Sequence, residues 1–386
     1  MSGATEPGTN VQKSTAALRS SKMSVQQLAA ENAGNPSSRL PLIDIDGDAR
    51  ARGRSHGEQL RGPLHDFYDA WVDFICRTMD TNEADLVSYA ASHLPASRAY
   101  APELVEEVAG IAEAGNLGLE QVFLLNCFDE VSCHGPGQLV SGLHHCTAFA
   151  ASGPATPDGK TLVGQAWDAD RRVYPMYLMR LSTGGHAEAL VVSNPGIVGG
   201  TGINIHGLGI VWNTLKASDY GVGVPAPLVV RKALQAQFLS QLIKNVINSR
   251  RANGMNFIAG STDQAVNIEL TATKYRIRYC YNVLGHANHY EEPDLLDFEL
   301  DLPMTDVSTL LRTHRMRQLL EERAGSITVP VAQEVLTDHT GKPASICRHE
   351  ENMESLTSVV YDLSSRKIWA TNGNPCTAPF VEYPLN

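Results

Sequence analysis

The sequence predicts an α+β chain with two packed layers of antiparallel sheet and helices outside them. Three observations carry this. Up to about residue 132, apolar residues recur at helical spacing. After Cys146 the texture changes to many short strand patterns separated by Gly, Pro, Asp and Asn. A parallel α/β sheet would place a helix after nearly every strand, and that rhythm is absent.

Residues 1 to about 38, rich in Ser, Ala, Gly, Asn and Gln, read as a flexible leader with room for a helical turn or two between Met23 and Asn32. The folded part starts at the alternation Leu42-Ile43-Asp44-Ile45, and 39–386 reads as a single domain. From His56 onward the period becomes helical: Leu60, Leu64, Phe67, Trp71, Phe74 and Ile75 share a stripe, and Pro63 fits only a first turn. Asp80 with Glu83 suggests the cap of the next helix, and further helices are expected over 101–114 and 119–130. Strands are expected at 147–152, 161–167, 176–182, 187–193, 203–212, 256–260, 265–270 and 274–283, with two more around a Ser364-Ser365 turn within 357–370. One amphipathic helix is expected over 227–249 and another over 307–323.

Composition narrows the class. With 43% hydrophobic and 19% charged residues, a sizeable core can form and global disorder is not expected. A formal charge of -11 without basic clusters argues against a nucleic-acid partner. No run approaches a membrane span and no signal-peptide core opens the chain, so a cytoplasmic or other intracellular location is expected. Seven scattered cysteines without a CxxC pair fit a reduced compartment better than a disulfide framework.

Of the chemical motifs, the glycine-rich stretch 194–202 is neither GxGxxG nor GxxxxGK[ST], and GxSxG and HExxH are absent. Cys133-His134 and His144-His145-Cys146 put metal-binding residue types together, but adjacent side chains diverge and no ligand spacing recurs. Neither a metal nor a cofactor is expected.

Cys146 is the candidate nucleophile. A strand follows it, then a turn at Pro157-Asp158-Gly159, then a second strand ending at Asp168, so a hairpin can return that carboxylate toward the cysteine. A thiol needs a base and donors for the oxyanion. Two solutions stand. The base is a histidine such as His144, His145 or His289, or the bond before Cys146 is cut and the freed α-amine serves.

Short segments in order strengthen the second solution. They include Gly53-Arg54-Ser55-His56-Gly57-Glu58-Gln59, Cys146-Thr147-Ala148-Phe149, Gly164-Gln165-Ala166-Trp167-Asp168, Pro195-Gly196-Ile197-Val198-Gly199, Trp212-Asn213-Thr214-Leu215, His286-Ala287-Asn288-His289, Ser345-Ile346-Cys347-Arg348 and Gly373-Asn374-Pro375. Together they resemble the penicillin acyltransferase family, that of acyl-coenzyme A:6-aminopenicillanic acid acyltransferase. This is a family of self-processing N-terminal-nucleophile (Ntn) enzymes.

The resemblance implies a four-layer αββα sandwich and cleavage between His145 and Cys146 into associated α (1–145) and β (146–386) chains. It implies Cys146 as nucleophile, Asp168 as support for its amine, Asn288 as oxyanion donor and Arg348 as a site arginine. His56, His144, Trp167, Asn213 and His289 are candidate pocket residues. The family often has glycine before the nucleophile where this chain has His145, and threonine is more familiar at Ala287. The activity implied is hydrolysis of an amide in a small N-acyl amine or N-acyl amino acid derivative. Acyl transfer from a coenzyme A thioester, as co-substrate, to a small amine such as a penicillin-type nucleus is the alternative. An unprocessed binding protein on the same fold is the second alternative.

Overall fold

In the computed structural model, which describes residues 39–137, 145–300, 307–350 and 352–385, the chain passes from an edge strand through a run of helices into two sheets. The leader 1–38 and the segment Gly142 to His144 lie outside the described residues. Strand β1 (Leu42–Asp46) leads into α1 (Ala49–Gln59), whose first turn is capped by Asp48 accepting from the Ala51 N–H at 2.8 Å. The helix therefore starts seven residues before His56, where the apolar stripe alone would begin it. Gly53 and Gly57 fall where it lies almost backbone to backbone on another helix. A Cβ on Gly53 would sit 2.0 Å from the Glu107 carbonyl oxygen, and one on Gly110 would sit 2.4 Å from that of Arg50.

Helices α2 (Arg61–Met79), α3 (Glu83–Tyr100), α4 (Pro102–Gly115), α5 (Leu119–Asn126) and α6 (Phe128–His134) follow. Asn82, not Asp80, caps α3. Asp80 instead closes α2 in the left-handed conformation at φ 52°.

The strands are β2 (His145–Gly153), β3 (Gly159–Ala169), β4 (Tyr177–Thr183), β5 (His186–Ser193), β6 (Thr201–Asn204) and β7 (Gly209–Leu215). The single strand expected over 203–212 is thus two, separated by a turn in which Asn204 Oδ1 accepts from the N–H groups of His206 and Leu208. The same Asn204 explains why the expected helix 227–249 breaks into α7 (Ala226–Ala233) and α8 (Leu239–Ile247). Its Nδ2 donates to the carbonyls of Leu234 and Ala236, which a continuous helix would need for itself.

After β8 (Gly254–Gly260), β9 (Ala265–Leu270) and β10 (Tyr275–Cys280), the chain crosses to the other sheet as β11 (Val283–His286). Helices α9 (Ser308–Glu321) and α10 (Val329–Leu336) precede β12 (His349–Glu350), β13 (Met353–Asp362), β14 (Lys367–Ala370) and β15 (Val381–Pro384).

One sheet runs β1-β4-β5-β6-β7-β8-β9-β10, antiparallel except for the parallel β1–β4 edge, which departs from the purely antiparallel expectation. The other runs β11-β2-β3-β13-β14-β15, with β12 on β13. Alternation sends Cys146, Ala148, Ala150, Val163 and Trp167 toward the core shared with the first sheet. Phe149, Ala151, Leu162 and Ala166 pack with Met316, Leu319, Leu320, Val335 and Leu336 of α9 and α10. Leu64, Phe67 and Trp71 of α2, with Leu104 and Val108 of α4, join the larger core from the other side. The layers are therefore helix, sheet, sheet, helix. Among the described residues, no helix is long and apolar enough to cross a membrane.

Candidate active site

Cys146 is the second residue of β2 and lies opposite Trp167 of β3, while its neighbour His145 lies opposite Asp168. Its backbone N–H donates to Asn288 Oδ1 at 3.0 Å, and its carbonyl accepts from Arg312 Nη1 at 2.6 Å. The residue is only 6% exposed. Burial pushes its thiol far above the ordinary range and the Asp168 charge adds to this, while Arg312 and the Gln165 amide act against it. With residue 146 in mid-chain, the sulfur is a neutral thiol.

Asp168 is fully buried. One oxygen accepts from the Ser355 hydroxyl at 2.7 Å, and Oδ2 has no hydrogen-bond partner among the described residues. Burial raises its pKa to about 6, opposed by Arg312 and Arg348. Successive side chains leave a strand on opposite faces, so the ring of His145 and the thiol of Cys146 do not share one. His145 Nδ1 is 3.3 Å from Arg312 Nη2, on the side where Arg312 also bonds Thr147 Oγ1 at 2.7 Å. This placement removes His145 as a direct base for the thiol.

Asn288 reaches Cys146 from the segment after β11. Its Oδ1 takes both the Cys146 N–H and Arg312 Nη2, at 3.0 Å each, and its Nδ2 donates to the Thr214 carbonyl at 3.1 Å. Its amide N–H is thus engaged in the uncut chain. Arg348 is 8% exposed, and its Nε is bonded to Glu350 at 2.7 Å. It acts on Asp168 through its charge and through Ser355, whose Oγ accepts the Arg348 backbone N–H at 3.0 Å and donates to the carboxylate.

The candidate pocket residues divide. Trp167 forms an aromatic group with Phe128 and Trp212, with ring centroids 6.1–6.3 Å apart, beside Cys146. Asn213 is buried and its Oδ1 accepts from Asn256 Nδ2 at 3.3 Å. His289 bonds the Thr309 hydroxyl at 2.9 Å, and burial lowers its pKa to about 4. His56 is fully buried and accepts the Gly196 N–H at 3.0 Å, so it ties α1 to the 195–196 turn instead of facing Cys146. Burial lowers its pKa to about 4 as well. His144 lies outside the described residues.

Sequence reading missed Arg312, which contacts more of the Cys146 surroundings than any expected residue does. The available sign was an arginine on the inward stripe of α9, in line with Thr309, Thr313 and Met316. It also missed Asp129. This acid is buried on α6, bonds Thr214 Oγ1 and Asn253, and is raised to about pKa 6 by burial. Its charge is felt at Cys146.

Among the described residues, two groups have metal-binding residue types close together: His339, Cys347, His349 and Cys376, and Glu269, His286 and Glu291. The second is internally paired. Glu269 takes His286 at 3.0 Å and the N–H groups of Glu291 and Glu292, and Glu291 is paired with Arg317.

Two sheets between helical layers, with Cys146 near the head of a strand in one of them, make this an αββα sandwich. The chain belongs to the acyl-coenzyme A:6-aminopenicillanic acid acyl-transferase family, whose family model matches residues 155–377, more than half of the chain. It is 24% identical over 396 aligned residues to an uncharacterized protein of Archaeoglobus fulgidus, covering 89% of this chain and 65% of that protein, so it spans just under two thirds of that relative's length. A conjugated bile acid hydrolase of Clostridium perfringens, solved as a cysteine-to-alanine mutant, is similar at a TM-score of 0.41 and 13% identity, over 62% of this chain and 97% of that one. A penicillin V acylase of Agrobacterium tumefaciens is similar at a TM-score of 0.36 and 12% identity, over 58% and 82% of the two chains.

Proposed function

We propose that the chain is a self-processing cysteine amidohydrolase acting on a small N-acyl amine or N-acyl amino acid derivative. The observation that carries this is the hold on both backbone groups of Cys146, its N–H by Asn288 and its carbonyl by Arg312, beside a buried Asp168. β11 pairs with β2 only from Ala148 onward, so at Cys146 side chains take the place of the neighbouring strand and hold the backbone around the His145–Cys146 bond in one geometry.

Processing begins when Cys146 Sγ attacks the His145 carbonyl carbon. The C–N bond breaks as the nitrogen takes a proton, leaving residues 1–145 as a thioester on Sγ, and water hydrolyses the thioester to release a carboxylate at His145. The new α-amine of Cys146 stays beside Asn288 Oδ1, and Asp168 supports it when protonated. With a pKa of roughly 7.7–8.0 in its unperturbed form, the amine can take the thiol proton.

The thiolate then adds to the substrate carbonyl, the amine product leaves with that proton, and water hydrolyses the acyl-thioester. Asn288 Nδ2 can serve the oxyanion only by leaving the Thr214 carbonyl, so its first role is to position the nitrogen. The Phe128, Trp167 and Trp212 rings supply an apolar wall suited to an acyl group. The family description favours a second reading, in which the acyl group comes from a coenzyme A thioester and an amine replaces water in the last step. Both share every step up to the acyl-enzyme.

Intact mass is the test. The purified chain should give two fragments, 1–145 and 146–386, and Cys146→Ala should stay whole and inactive. A wild-type chain that turns over amides while uncut would overturn the mechanism. Amide release without coenzyme A separates hydrolysis from transfer.

A further inference from the structure

We propose that the chain holds one zinc ion, or an ion of zinc's coordination chemistry, between His339, Cys347, His349 and Cys376. The four donor atoms all lie within 4.8 Å of one another. His349 Nε2 is at their centre, 3.0 Å from His339 Nε2, 3.3 Å from Cys347 Sγ and 3.2 Å from Cys376 Sγ. Hydrogen bonding cannot account for this convergence. A neutral imidazole nitrogen carries either one proton or one lone pair in the ring plane, so it serves one such partner well and not three.

A tetrahedral ion does account for it. Zn–N and Zn–S bonds of roughly 2.0–2.1 and 2.3 Å put tetrahedral ligand atoms about 3.3–3.8 Å apart, a few tenths of an ångström beyond the separations around His349 Nε2. Two sulfurs and two imidazoles form one of zinc's ordinary structural donor sets. Binding would displace a proton from each thiol, giving two thiolates, so the centre balances the divalent charge.

The surrounding chain is built to hold these segments together. His339 follows α10, Cys347 and His349 flank Arg348 at the start of β12, and Cys376 follows β14. The Cys347 N–H donates to the Asp338 carbonyl at 3.0 Å, Ser345 Oγ to the Cys347 carbonyl at 2.6 Å, and Asn374 Nδ2 to the Arg348 carbonyl at 2.5 Å. Cys347 is buried while Cys376 opens to solvent, so an ion has a way in. The expectation of no metal rested on adjacent pairs such as Cys133-His134. The fold instead collects donors spread over nearly forty positions. Ligands at 347 and 349 would fix the backbone on both sides of Arg348.

The test uses the full-length Cys146→Ala chain, so that neither processing nor catalysis bears on it. Purified with reductant and without chelator, it should carry one zinc per chain by elemental analysis. After stripping, added Co²⁺ should give the intense visible bands of a tetrahedral ion with thiolate-to-cobalt charge transfer. Cys376→Ser, at the surface, should weaken Co²⁺ binding by roughly 100-fold and reduce the charge-transfer band, and His349→Gln should do the same. Cys76→Ser should change neither. A stripped chain giving only the pale spectrum of hydrated Co²⁺, a spectrum unchanged in both ligand variants, or a Cys347–Cys376 disulfide that persists in reductant would overturn the proposal.

Discussion

Asp168 is buried as a carboxylate at a site whose intended partner, in the proposed mechanism, exists only after the chain is cut. Its pKa of about 6 lies above the ordinary carboxylate value, so its proton favours the uncut fold. That contribution is fully present below about pH 4 and is lost as pH rises through 6. In the Cys146→Ala background, Asp168→Asn should therefore raise stability at pH 7.5 by on the order of 2–3 kcal/mol and change it little at pH 4. Thermal unfolding at the two pH values checks this. Arg312 and Arg348 should also separate. Arg312 holds the Cys146 carbonyl, Thr147 and Asn288 with one planar fork, which lysine cannot copy. Arg312→Lys should slow the appearance of the two fragments by roughly 100-fold. Arg348→Lys should leave the cut intact and show its effect in substrate turnover. A mass time course followed by steady-state assay distinguishes them.

At the level of elements, the contact of α1 with α4 tests how the helical layer is built. Glycine at 53 and 110 brings the two backbones together, and His56 one turn later pins the Gly196 turn, with a ring kept neutral by burial. Gly53→Ala should destabilise the chain by about 1–3 kcal/mol, since the new Cβ meets a carbonyl rather than a flexible side chain. Denaturant unfolding of the Cys146→Ala chain with and without the change measures it. An apolar stripe does not reveal this helix, because its buried face consists of glycine, histidine and an arginine. The breaks between α7 and α8 and between β6 and β7 share a cause, the side-chain amide of Asn204, which competes for backbone groups of both elements.

For the molecule as a whole, the proposed cut falls where separation of the fragments is least favoured. Every described helix up to α6 precedes Cys146, and their side chains share one continuous core with strands that follow it. Residues 1–145 and 146–386 should thus elute as one species from size exclusion and part only in denaturant. Native and denaturing mass measurements on one sample show this.

The sequence by itself determined the layering, because the change from helical to alternating apolar spacing near Cys146 is local information that no packing can disguise. It also marked Cys146, Asp168, Asn288 and Arg348 as residues of interest, through short segments whose order along the chain is specific. Tertiary structure alone decided how they relate. The β2–β3 register sets Asp168 opposite His145 rather than Cys146, and alternation along β2 puts the histidine ring and the thiol on opposite faces. Only packing of α9 on the second sheet brings Arg312 to the Cys146 carbonyl from 166 positions away. Only the meeting of the segment after α10, the start of β12 and the segment after β14 gathers His339, Cys347, His349 and Cys376. In each case the chemistry depends on atoms a few ångströms apart in space and far apart along the chain, and spacing in a sequence carries no record of that distance.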